Sequence, residues 1–473
     1  MMRTRRIAPL LGFAGLAGFG VGVAGMSVNK EELNSVAKPT TALVIGGGIM
    51  GLSTSLQLAE RGVQVTLLEV NPLPAQVASY YNGAIICNSM AASWASATLI
   101  AKNPGELKTM KVGFESWTDP NFYRWCAWFW MNSLWPGRAE FNHQSQRLLS
   151  YFSYNLFRSM QEEKAKYGDK LFMNETAKET IKLFYNAEEM NEFLSSNQAK
   201  FWAEHGLGFR QISAQDCIQL EPGLRNVCQT DGIVGGVVCP SDSSGDIGVY
   251  CSNLEKLCKE LGVKIMYNSG VEKLIKRDEQ IVSAQLSNGQ TMSADVYVLC
   301  VGVGSKQLGE TVGINLPVYP LKGHLATIHS NPDYPSLTRN ILDTRYGLIS
   351  PLNPTSIRLS GRVEAVGYNY AVEPEKGKQL AAAVKMVFKP NFLRTDEATY
   401  HSCLRPVSGD DLAIIGQTKI QNLFVNTGQG SKGWTYSWGS SKLIAQIICG
   451  EETNLDPTRF SPLRFHPFRG YLG

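Results

Sequence analysis

The sequence lacks the features that mark several large classes of protein. Its ten cysteines are scattered, with no C-x-x-C pair and no metal-type cluster with histidine, which favours a reducing compartment and argues against a structural zinc site. The 45 basic and 41 acidic residues leave a formal charge of only +4, so no broad basic face is available for nucleic acid. No internal repeat or low-complexity tract is visible. The 473 residues, 44% of them hydrophobic, instead predict a globular protein that is long enough and hydrophobic enough for two or three domains.

The most informative motif that is present lies within residues 42–69. A hydrophobic run, A-L-V-I, leads into the glycine turn G-G-G-I-M-G and then into a helical pattern. Gly46 permits the sharp turn, Gly48 lets the backbone approach a pyrophosphate, and Gly51 lets the helix pack close to the strand. A second strand ends at Glu69, where a carboxylate accepts ribose hydroxyls. This order of strand, glycine turn, helix, strand and acidic residue favours an adenine dinucleotide site over a chance glycine turn. It does not distinguish an NAD site from an FAD site.

The first forty residues differ in composition from the rest. Arginines stand at positions 3, 5 and 6, no acidic residue occurs before Glu31, and the uncharged stretch 7–29 contains six glycines. A mitochondrial presequence, a secretory signal or membrane anchor, and a disordered tail all fit this pattern. We interpret residues 1–39 as a targeting or anchor segment and expect a mitochondrial location, with peripheral membrane contact left open.

An aromatic segment follows the first domain. Five of the nine tryptophans stand between Trp117 and Trp135, and Asp119 followed by Pro120 predicts the start of a helix. Because aromatic residues cover nearly every side, we expect this helix to be buried between layers. A membrane-facing or quinone-contacting surface is the alternative. Residues 140–220 alternate amphipathic helices with short strands, which suits a cap over a cofactor.

The second half of the chain returns to the pattern of the first domain. Asp246 is placed to cap a helix that ends at Gly262, and a buried strand then leads to Val271. A later apolar strand, A-D-V-Y-V-L-C-V, runs into Gly302. In two-dinucleotide-fold flavoproteins such a strand lies beside the first strand, and its terminal glycine leaves room for the pyrophosphate of FAD.

A second glycine loop lies near the C-terminus. A strand through residues 422–426 feeds T-G-Q-G-S-K-G-W-T, and a helix continues to Cys449. A glycine loop at a helix N-terminus offers amide donors and a positive dipole to an anionic group. The N1–C2=O end of a reduced flavin is such a group.

Together these motifs resemble the D-amino acid oxidase superfamily of FAD oxidoreductases, and within it the branch of bacterial D-amino acid dehydrogenase small subunits. The resemblance extends from about Thr41 to about Gly450. The motifs on which the resemblance rests are V-I-G-G-G-I-M-G (44–51), the S-x-x-N loop (79–82), V-Y-P-L-K-G (318–323), C-L-R-P-V-S-G-D (403–410) and N-T-G-Q-G-S-K-G-W-T (426–435). The chain departs from that branch in three ways that leave the substrate scope open. Tyr80 and Tyr81 replace small residues, Gln429 replaces a histidine, and the N-terminal extension has no counterpart in the bacterial branch.

The resemblance implies FAD as the cofactor, and the scattered cysteines predict no metal site. The residues expected to bind FAD are Gly46, Gly48, Gly51, Glu69, Ser79, Asn82, Val271, Gly302, Gly428, Gly430, Ser431, Gly433, Trp434 and Thr435. It implies that Arg405 clamps the substrate carboxylate, for which a planar guanidinium is suited. Tyr346 lies where relatives place a substrate tyrosine, with Tyr368 as the alternate. Lys322 is expected either near the flavin or at a strand end.

Cys403 raises a separate hypothesis about attachment of the cofactor. In sarcosine oxidase relatives a cysteine in a similar segment tethers the flavin. Here Cys403 occupies what looks like the matching place, in S-C-L-R-P. A buried structural thiol is the alternative.

The sequence thus predicts an α/β flavoenzyme with an FAD-binding two-dinucleotide (Rossmann-like) domain and an α+β substrate domain with an antiparallel sheet. The FAD domain is expected over 40–115, 230–310 and 395–473, and the substrate or cap domain over 116–229 and 311–394. The expected function is oxidative deamination of D-amino acids to 2-oxo acids and ammonia, by hydride transfer to flavin N5, with electrons passed to a quinone or another carrier. The alternatives are oxidation of sarcosine, proline or glycine, an oxidase that uses oxygen, and a flavin-binding protein without turnover.

Overall fold

The structure is a computed structural model that describes residues 38–95, 111–135, 137–163, 167, 171, 175–389 and 391–465. The predicted targeting segment, 1–39, lies outside these residues except for its last two positions. The strands are β1 Thr41–Ile45, β2 Gln64–Leu68, β3 Ile85–Ile86, β4 Lys111–Val112, β5 Glu175–Ala177, β6 Thr180–Phe184, β7 Arg210–Ile212, β8 Gly235–Cys239, β9 Ser243–Gly245, β10 Lys264–Met266, β11 Val271–Arg277, β12 Gln280–Leu286, β13 Thr291–Met292, β14 Val296–Leu299, β15 Val318–Ser330, β16 Asn340–Asp343, β17 Gly347–Asn353, β18 Ser356–Ala365, β19 Leu393–Ser408, β20 Ile414–Gln417 and β21 Leu423–Thr427. The α-helices are α1 Ile49–Ala59, α2 Phe114–Trp117, α3 Pro120–Leu134, α4 Arg138–Glu162, α5 Ala187–Ser195, α6 Asn197–Glu204, α7 Ala214–Leu220, α8 Arg225–Thr230, α9 Ile247–Glu260, α10 Gly304–Glu310, α11 Pro374–Val387 and α12 Gly433–Ile448. Short 3-10 helices cover Asn88–Met90, Pro222–Leu224, Pro457–Arg459 and Pro462–Phe465.

A six-stranded sheet carries both glycine loops. Its strand order is β10-β2-β1-β14-β21-β20. β1 runs parallel to both β2 and β14, and β14 runs parallel to β21, whereas β20 at the edge is antiparallel. The predicted apolar strand before Gly302 therefore lies beside the first strand, as the sequence indicated. Both glycine loops follow the carboxyl ends of parallel strands, and ligands of open α/β sheets bind at that edge.

Both faces of this sheet are buried, which explains why its strands are apolar throughout. On one face Ala42 and Val44 join an apolar cluster with α1, α4, α9 and α12. On the other face Leu43 and Ile45 pack towards Leu274 of the three-stranded antiparallel sheet β11-β12-β13. The central sheet is therefore the middle layer of a three-layer arrangement.

A second, larger sheet carries the opposite wall of the site. It has nine strands in the order β19-β15-β18-β17-β16-β6-β8-β7, with β4 paired to β18. Most of its neighbouring pairs are antiparallel, and the long strands β15 and β19 pair over most of their length. An apolar cluster that includes Leu380 and Val384 of α11 covers part of this sheet. The parallel sheet and the separate antiparallel sheet confirm the predicted fold class, while the domain boundaries stay a prediction.

The aromatic helix begins where the sequence predicts but is not buried all round. The Asp119 side chain accepts a hydrogen bond from the backbone N–H of Asn121, which caps α3. Phe122 and Trp125 pack against the larger sheet, whereas Leu134 is 64% exposed. The expectation of a helix buried between layers was therefore wrong, because only one of its faces contacts the sheet. No helix in the described part of the chain combines the length and the hydrophobicity needed to cross a bilayer.

Candidate functional site

The first glycine turn joins β1 to α1 and forms one end of the site. Gly46 has a φ of +106°, and a Cβ there would lie 2.7 Å from the carbonyl oxygen of Cys300, so only glycine fits. A Cβ on Gly51 would lie 1.7 Å from the carbonyl oxygen of Gly46, so α1 packs directly against the turn. A Cβ on Gly48 would meet only the hydroxyl of Ser79, at 3.0 Å. The backbone at Gly48 is therefore open to a ligand on its other sides.

Glu69 is fixed at the end of β2 by hydrogen bonds to both carboxylate oxygens. Its Oε2 accepts from the backbone N–H of Gly47 at 2.6 Å. Its Oε1 accepts from the backbone N–H and the side-chain amide of Asn71, at 2.9 and 2.7 Å. A carboxylate offers about four acceptor sites. Three of these sites are occupied, so Glu69 keeps one acceptor site, on Oε2, for a ribose hydroxyl.

Ser79 and Asn82 lie on the loop that passes the N-terminus of α1. The Ser79 Oγ accepts from the backbone N–H of Ile49 at 3.0 Å, which leaves its own proton to donate to an anion. The Asn82 Oδ1 accepts from the backbone N–H of Ala84 at 2.8 Å and holds the loop turn. The loop therefore adds a hydroxyl donor to the amide donors of the helix N-terminus.

The second glycine loop runs from β21 into α12. Gly428 and Gly430 have φ values of +78° and +57°, which are conformations that favour glycine. The Thr435 Oγ1 accepts from the backbone N–H of Cys87 at 3.0 Å and so joins the first turn of α12 to the chain that follows β3. The Trp434 Nε1 is buried without a hydrogen-bond partner among the described residues. An indole donor of this kind is suited to a ligand acceptor.

A cavity of about 660 Å³ connects the two glycine loops. Its volume is in the range of ligand sites, about 300–1,000 Å³. The predicted FAD residues that line it are Gly46, Gly48, Glu69, Ser79, Asn82, Val271, Gly302, Gly430, Ser431, Gly433, Trp434 and Thr435. Gly51 and Gly428 do not line it and instead serve helix packing and the chain turn. The residues present can thus hold an adenine dinucleotide along this cavity.

Arg405 reaches the same cavity from the larger sheet. It lies on the edge strand β19, and its guanidinium crosses Gly323 of β15, where a Cβ would be 2.2 Å from Nη2. Its Nη1 donates to the carbonyl oxygen of Arg362 at 3.3 Å. Burial lowers the pKa of Arg405, but an arginine remains charged at neutral pH. Within the described ranges no carboxylate forms an ion pair with it, so a fixed cation faces the cavity.

The cavity wall around Arg405 is largely apolar. It is lined by Leu325, Leu348, Ser360, Cys403 and Leu404. Burial raises the pKa of the Cys403 thiol, so it is protonated at neutral pH. Its place beside Arg405 is compatible with either a flavin tether or a buried thiol, and the tether hypothesis stays a prediction. Acid precipitation tests it, because flavin colour released into the supernatant rules out a covalent bond.

Three predicted candidates do not line the cavity. The Tyr346 hydroxyl donates to Asp231 Oδ2 at 3.2 Å, and its ring packs against the apolar cluster beneath α11. Tyr368 has a buried hydroxyl without a partner in the described structure. Lys322 is fully buried and donates to the carbonyl oxygen of Ala371. The structure therefore does not bring Tyr346 together with Arg405.

Two residues that line the cavity were missed. Lys432 lies before α12, with Nζ 3.6 Å from Asp411 Oδ2. The second glycine motif contains this lysine, so its position in the motif could have indicated it. Tyr370 lines the cavity from the loop after β18. No motif marks that loop, and only the folded chain brings Tyr370 to the site.

Comparisons with known proteins identify the family of the chain. The profile of the DAO family, described as FAD dependent oxidoreductase, matches residues 41–447. D-amino acid dehydrogenase of Neisseria meningitidis is 28% identical over 432 residues, which cover 89% of this chain and 99% of that protein. D-amino acid dehydrogenase of Methylobacterium radiotolerans is 28% identical over 410 residues, which cover 86% and 95%. These relatives are bacterial, so they lend no support to a mitochondrial location.

Solved structures share the fold at lower identity. L-amino acid deaminase from Proteus vulgaris superposes with a TM-score of 0.68 at 17% identity, over 95% of this chain and 100% of that one. L-proline dehydrogenase from P. horikoshii gives 0.67 at 15% identity, over 92% and 100%. Glycine oxidase from Geobacillus kaustophilus gives 0.66 at 19% identity, over 90% and 98%. At these identities the likeness is one of fold alone.

Proposed function

We propose a function for this protein from one established premise: the chain belongs to the DAO family of FAD dependent oxidoreductases. It is an FAD-dependent oxidoreductase, and its cofactor is FAD. We propose that it deaminates D-amino acids oxidatively to 2-oxo acids and ammonia, and that the electrons pass to a quinone or another carrier. The relatives named D-amino acid dehydrogenase support this substrate class, since they match this chain over nearly their whole length.

The residues present fit FAD on three observations. Gly48 leaves its backbone open to the cavity, as close approach by a pyrophosphate requires. Glu69 keeps one acceptor site, on Oε2, for a ribose hydroxyl. The unpartnered Trp434 Nε1 and the N-terminus of α12 offer donors to the other end of the cofactor.

The observation that carries the proposal is Arg405. An arginine without a carboxylate partner in the described structure, facing an apolar cavity, is suited to bind an anion that enters from solvent. A substrate carboxylate is such an anion. Gly323 leaves space for the guanidinium to lie flat across β15, which fixes its plane for bidentate contact.

The chain's own part in the reaction is to bind and orient the substrate. Bound FAD supplies the acceptor for the hydride that leaves the substrate Cα. Arg405 holds the carboxylate, while Leu325 and Leu348 exclude water from the reacting end. No carboxylate in the described structure pairs with Arg405, so its guanidinium stays available to the substrate carboxylate. The imine product hydrolyses in water, and no protein nucleophile is needed.

The geometry of Arg405 argues against one of the three alternative functions and leaves the other two open. A secondary amino acid or glycine would use the same arginine, and fold neighbours that act on proline and glycine keep these substrates open. Oxygen in place of a carrier also stays open. A flavin-binding protein without turnover would have no use for an unpaired guanidinium in an apolar cavity.

Anaerobic bleaching of the flavin tests the proposal. The purified protein should be yellow and should lose its absorbance with D-alanine but not with sarcosine or L-alanine. Bleaching by sarcosine alone would favour the secondary-amine alternative, and no bleaching by any amino acid would favour a protein without turnover. An acceptor screen with oxygen and a soluble quinone then identifies the electron carrier.

We further propose that the outer face of α3 contacts a lipid surface, where a quinone would be available. Tyr123, Trp130 and Leu134 are exposed on this face, and tryptophan and tyrosine favour the membrane–water interface. The inner face of the same helix belongs to a cluster against which Trp94 packs, and Trp94 lines the cavity. The protein should therefore sediment with phosphatidylcholine vesicles, and a Trp130→Ser, Leu134→Ser variant should not. Equal sedimentation of both proteins would contradict the contact.

A mitochondrial location stays a proposal that depends on the composition of residues 1–39 alone. A fluorescent protein fused after residue 39 tests it in a eukaryotic cell. Diffuse fluorescence, or fluorescence in the secretory pathway, would contradict it.

A further inference from the structure

The segment 366–373 connects β18 to α11 and brings one side chain to the cavity. We refer to it as the strap. At its start the backbone N–H of Gly367 donates to Ser116 Oγ at 3.1 Å, and at its end Glu373 precedes α11. Between these points Tyr370 lines the cavity while 54% of its surface stays exposed. A side chain this exposed is positioned mainly by its backbone.

A partly buried group of charged residues lies beneath the end of the strap. The Lys376 Nζ is 2.6 Å from Glu364 Oε2 and 2.7 Å from Glu373 Oε1. His324 Nε2 is 3.1 Å from the same oxygen of Glu364. Ligand atoms of His324, Glu364 and Glu373 lie within 4.8 Å of one another, as in a metal site. The Lys376 ammonium already bridges the two carboxylates, so the group is better explained as an ion-pair network.

Lys322 makes a hydrogen bond to the backbone that is not part of this ion-pair network. Its Nζ lies 3.7 Å from Glu373 Oε1 but donates to the carbonyl oxygen of Ala371 at 2.5 Å. The Ser402 hydroxyl donates to the same carbonyl at 3.4 Å. A fully buried ammonium is costly, and here it is directed at the backbone next to Tyr370. This contact ties the strap to β15.

The same strand carries the support of Arg405 on its other face. Successive residues of a strand point to opposite faces, and Gly323, beneath the Arg405 guanidinium, directly follows Lys322. In the pairing of β15 with β19, Leu321 is opposite Arg405 and Lys322 is opposite Leu404. Two adjacent residues of β15 therefore have separate contacts. Lys322 contacts the strap that carries Tyr370, and Gly323 lies beneath the Arg405 guanidinium.

We propose that Lys322 is a positioning residue for substrate binding, which holds the Ala371 carbonyl so that Tyr370 is kept against an amino acid bound at Arg405. This inference rests on the proposed function. Lys322 itself does not touch substrate, and it acts through the strap.

The first test replaces Lys322 by methionine, which has a similar length and no charge. The flavin should stay bound, and the strap end should stay attached, because Lys376 still pairs with Glu373. In anaerobic stopped-flow reduction the apparent Kd for D-alanine should rise about tenfold while the limiting rate changes less than about threefold. Lys376→Met is the matched control, since it removes two ion pairs without touching Ala371, and it should leave Kd within about twofold. An equal rise in both variants would overturn the specific role of Lys322.

A double-mutant cycle separates positioning from simple stability. If Lys322 acts through Tyr370, Lys322→Met should have no further effect on Kd in a Tyr370→Ala protein. Additive effects would overturn the inference. Hydrogen exchange of the peptide 366–373 gives a readout without substrate, and Lys322→Met should speed exchange there. Unchanged exchange would show that the strap is not held by Lys322.

Two outcomes distinguish a failure of the proposed function from a failure of the role of Lys322. If the proposed function is wrong, D-amino acids do not bleach the wild-type flavin at all. If only this inference is wrong, D-alanine bleaches the wild-type protein normally and its Kd does not respond to Lys322→Met.

Discussion

At the scale of single residues, Arg405 allows the sharpest test of the site. Arg405→Leu should retain FAD and its fold, whereas kcat/KM for D-amino acids should fall by roughly two to three orders of magnitude, because the substrate carboxylate loses its partner in a water-poor pocket. Arg405→Lys keeps the charge without the planar fork and should be partly active. Steady-state kinetics together with the flavin spectrum measure both effects. Wild-type efficiency in Arg405→Leu, or loss of its FAD, would contradict the assignment.

Gly323 gives a second test at the same scale. A Cβ there would lie 2.2 Å from Arg405 Nη2, so Gly323→Ala should displace the guanidinium, which can move, rather than disrupt the strand. We expect KM for D-alanine to rise roughly tenfold or more with FAD retained. Gly208→Ala is the control, because its Cβ would make only ordinary contacts at 3.6 Å. Unchanged KM in Gly323→Ala would show that the position of the guanidinium is not limiting.

At the scale of elements, a buried ion pair fixes the last described turn to the chain after β19. Arg464 donates to both oxygens of Asp410, at 2.8 and 3.0 Å, and both side chains are buried. Asp410→Asn should lower the free energy of unfolding by about 3–5 kcal/mol, since it leaves Arg464 buried without its partner. Chemical denaturation measures this loss. The control is Glu375→Gln, at an exposed pair with Lys378, which should change the free energy of unfolding by less than about 0.5 kcal/mol.

The same pair makes a prediction about pH. Burial alone would raise the pKa of Asp410, but the charge and hydrogen bonds of Arg464 hold it below its ordinary value. The stabilisation is therefore present above the aspartate pKa of the unfolded chain, about 3.9, and is lost as pH falls through the lower pKa of the folded state. The difference between wild type and Asp410→Asn should shrink on acidification in that range. A constant difference from neutral to acid pH would contradict this account.

Elements with strong local signals could be predicted from the sequence. The turn at Gly46, the cap at Asp119 and the loop at Gly430 depend on residues within a few positions of each other. The burial of α3 could not be predicted, because an aromatic pattern does not show which face meets a sheet. The place of Tyr346 could not be predicted either, since it depends on contacts across the larger sheet.

At the scale of the whole molecule, the described part of the chain begins at Lys38, and its first residues are held by hydrogen bonds. The backbone N–H groups of Thr40 and Thr41 donate to Asp295 Oδ2 at 2.9 and 2.8 Å, and Lys38 donates to the carbonyl of Arg61. A protein that starts at Lys38 keeps all these contacts, so it should bind FAD and turn over as the full chain does. FAD content per chain and kcat/KM are the measurements. Loss of FAD on this truncation would show that residues 1–37 belong to the fold.

The arrangement of the central sheet has a consequence for how the protein is made. β1, β14 and β21 are neighbours in space, yet they come from the beginning, the middle and the end of the described chain. A ribosome must therefore release β21 and the second glycine loop before either can complete the cavity, so cofactor loading follows synthesis. Because a bound ligand stabilises only the folded chain, the finished chain should resist unfolding better after it has bound FAD than before.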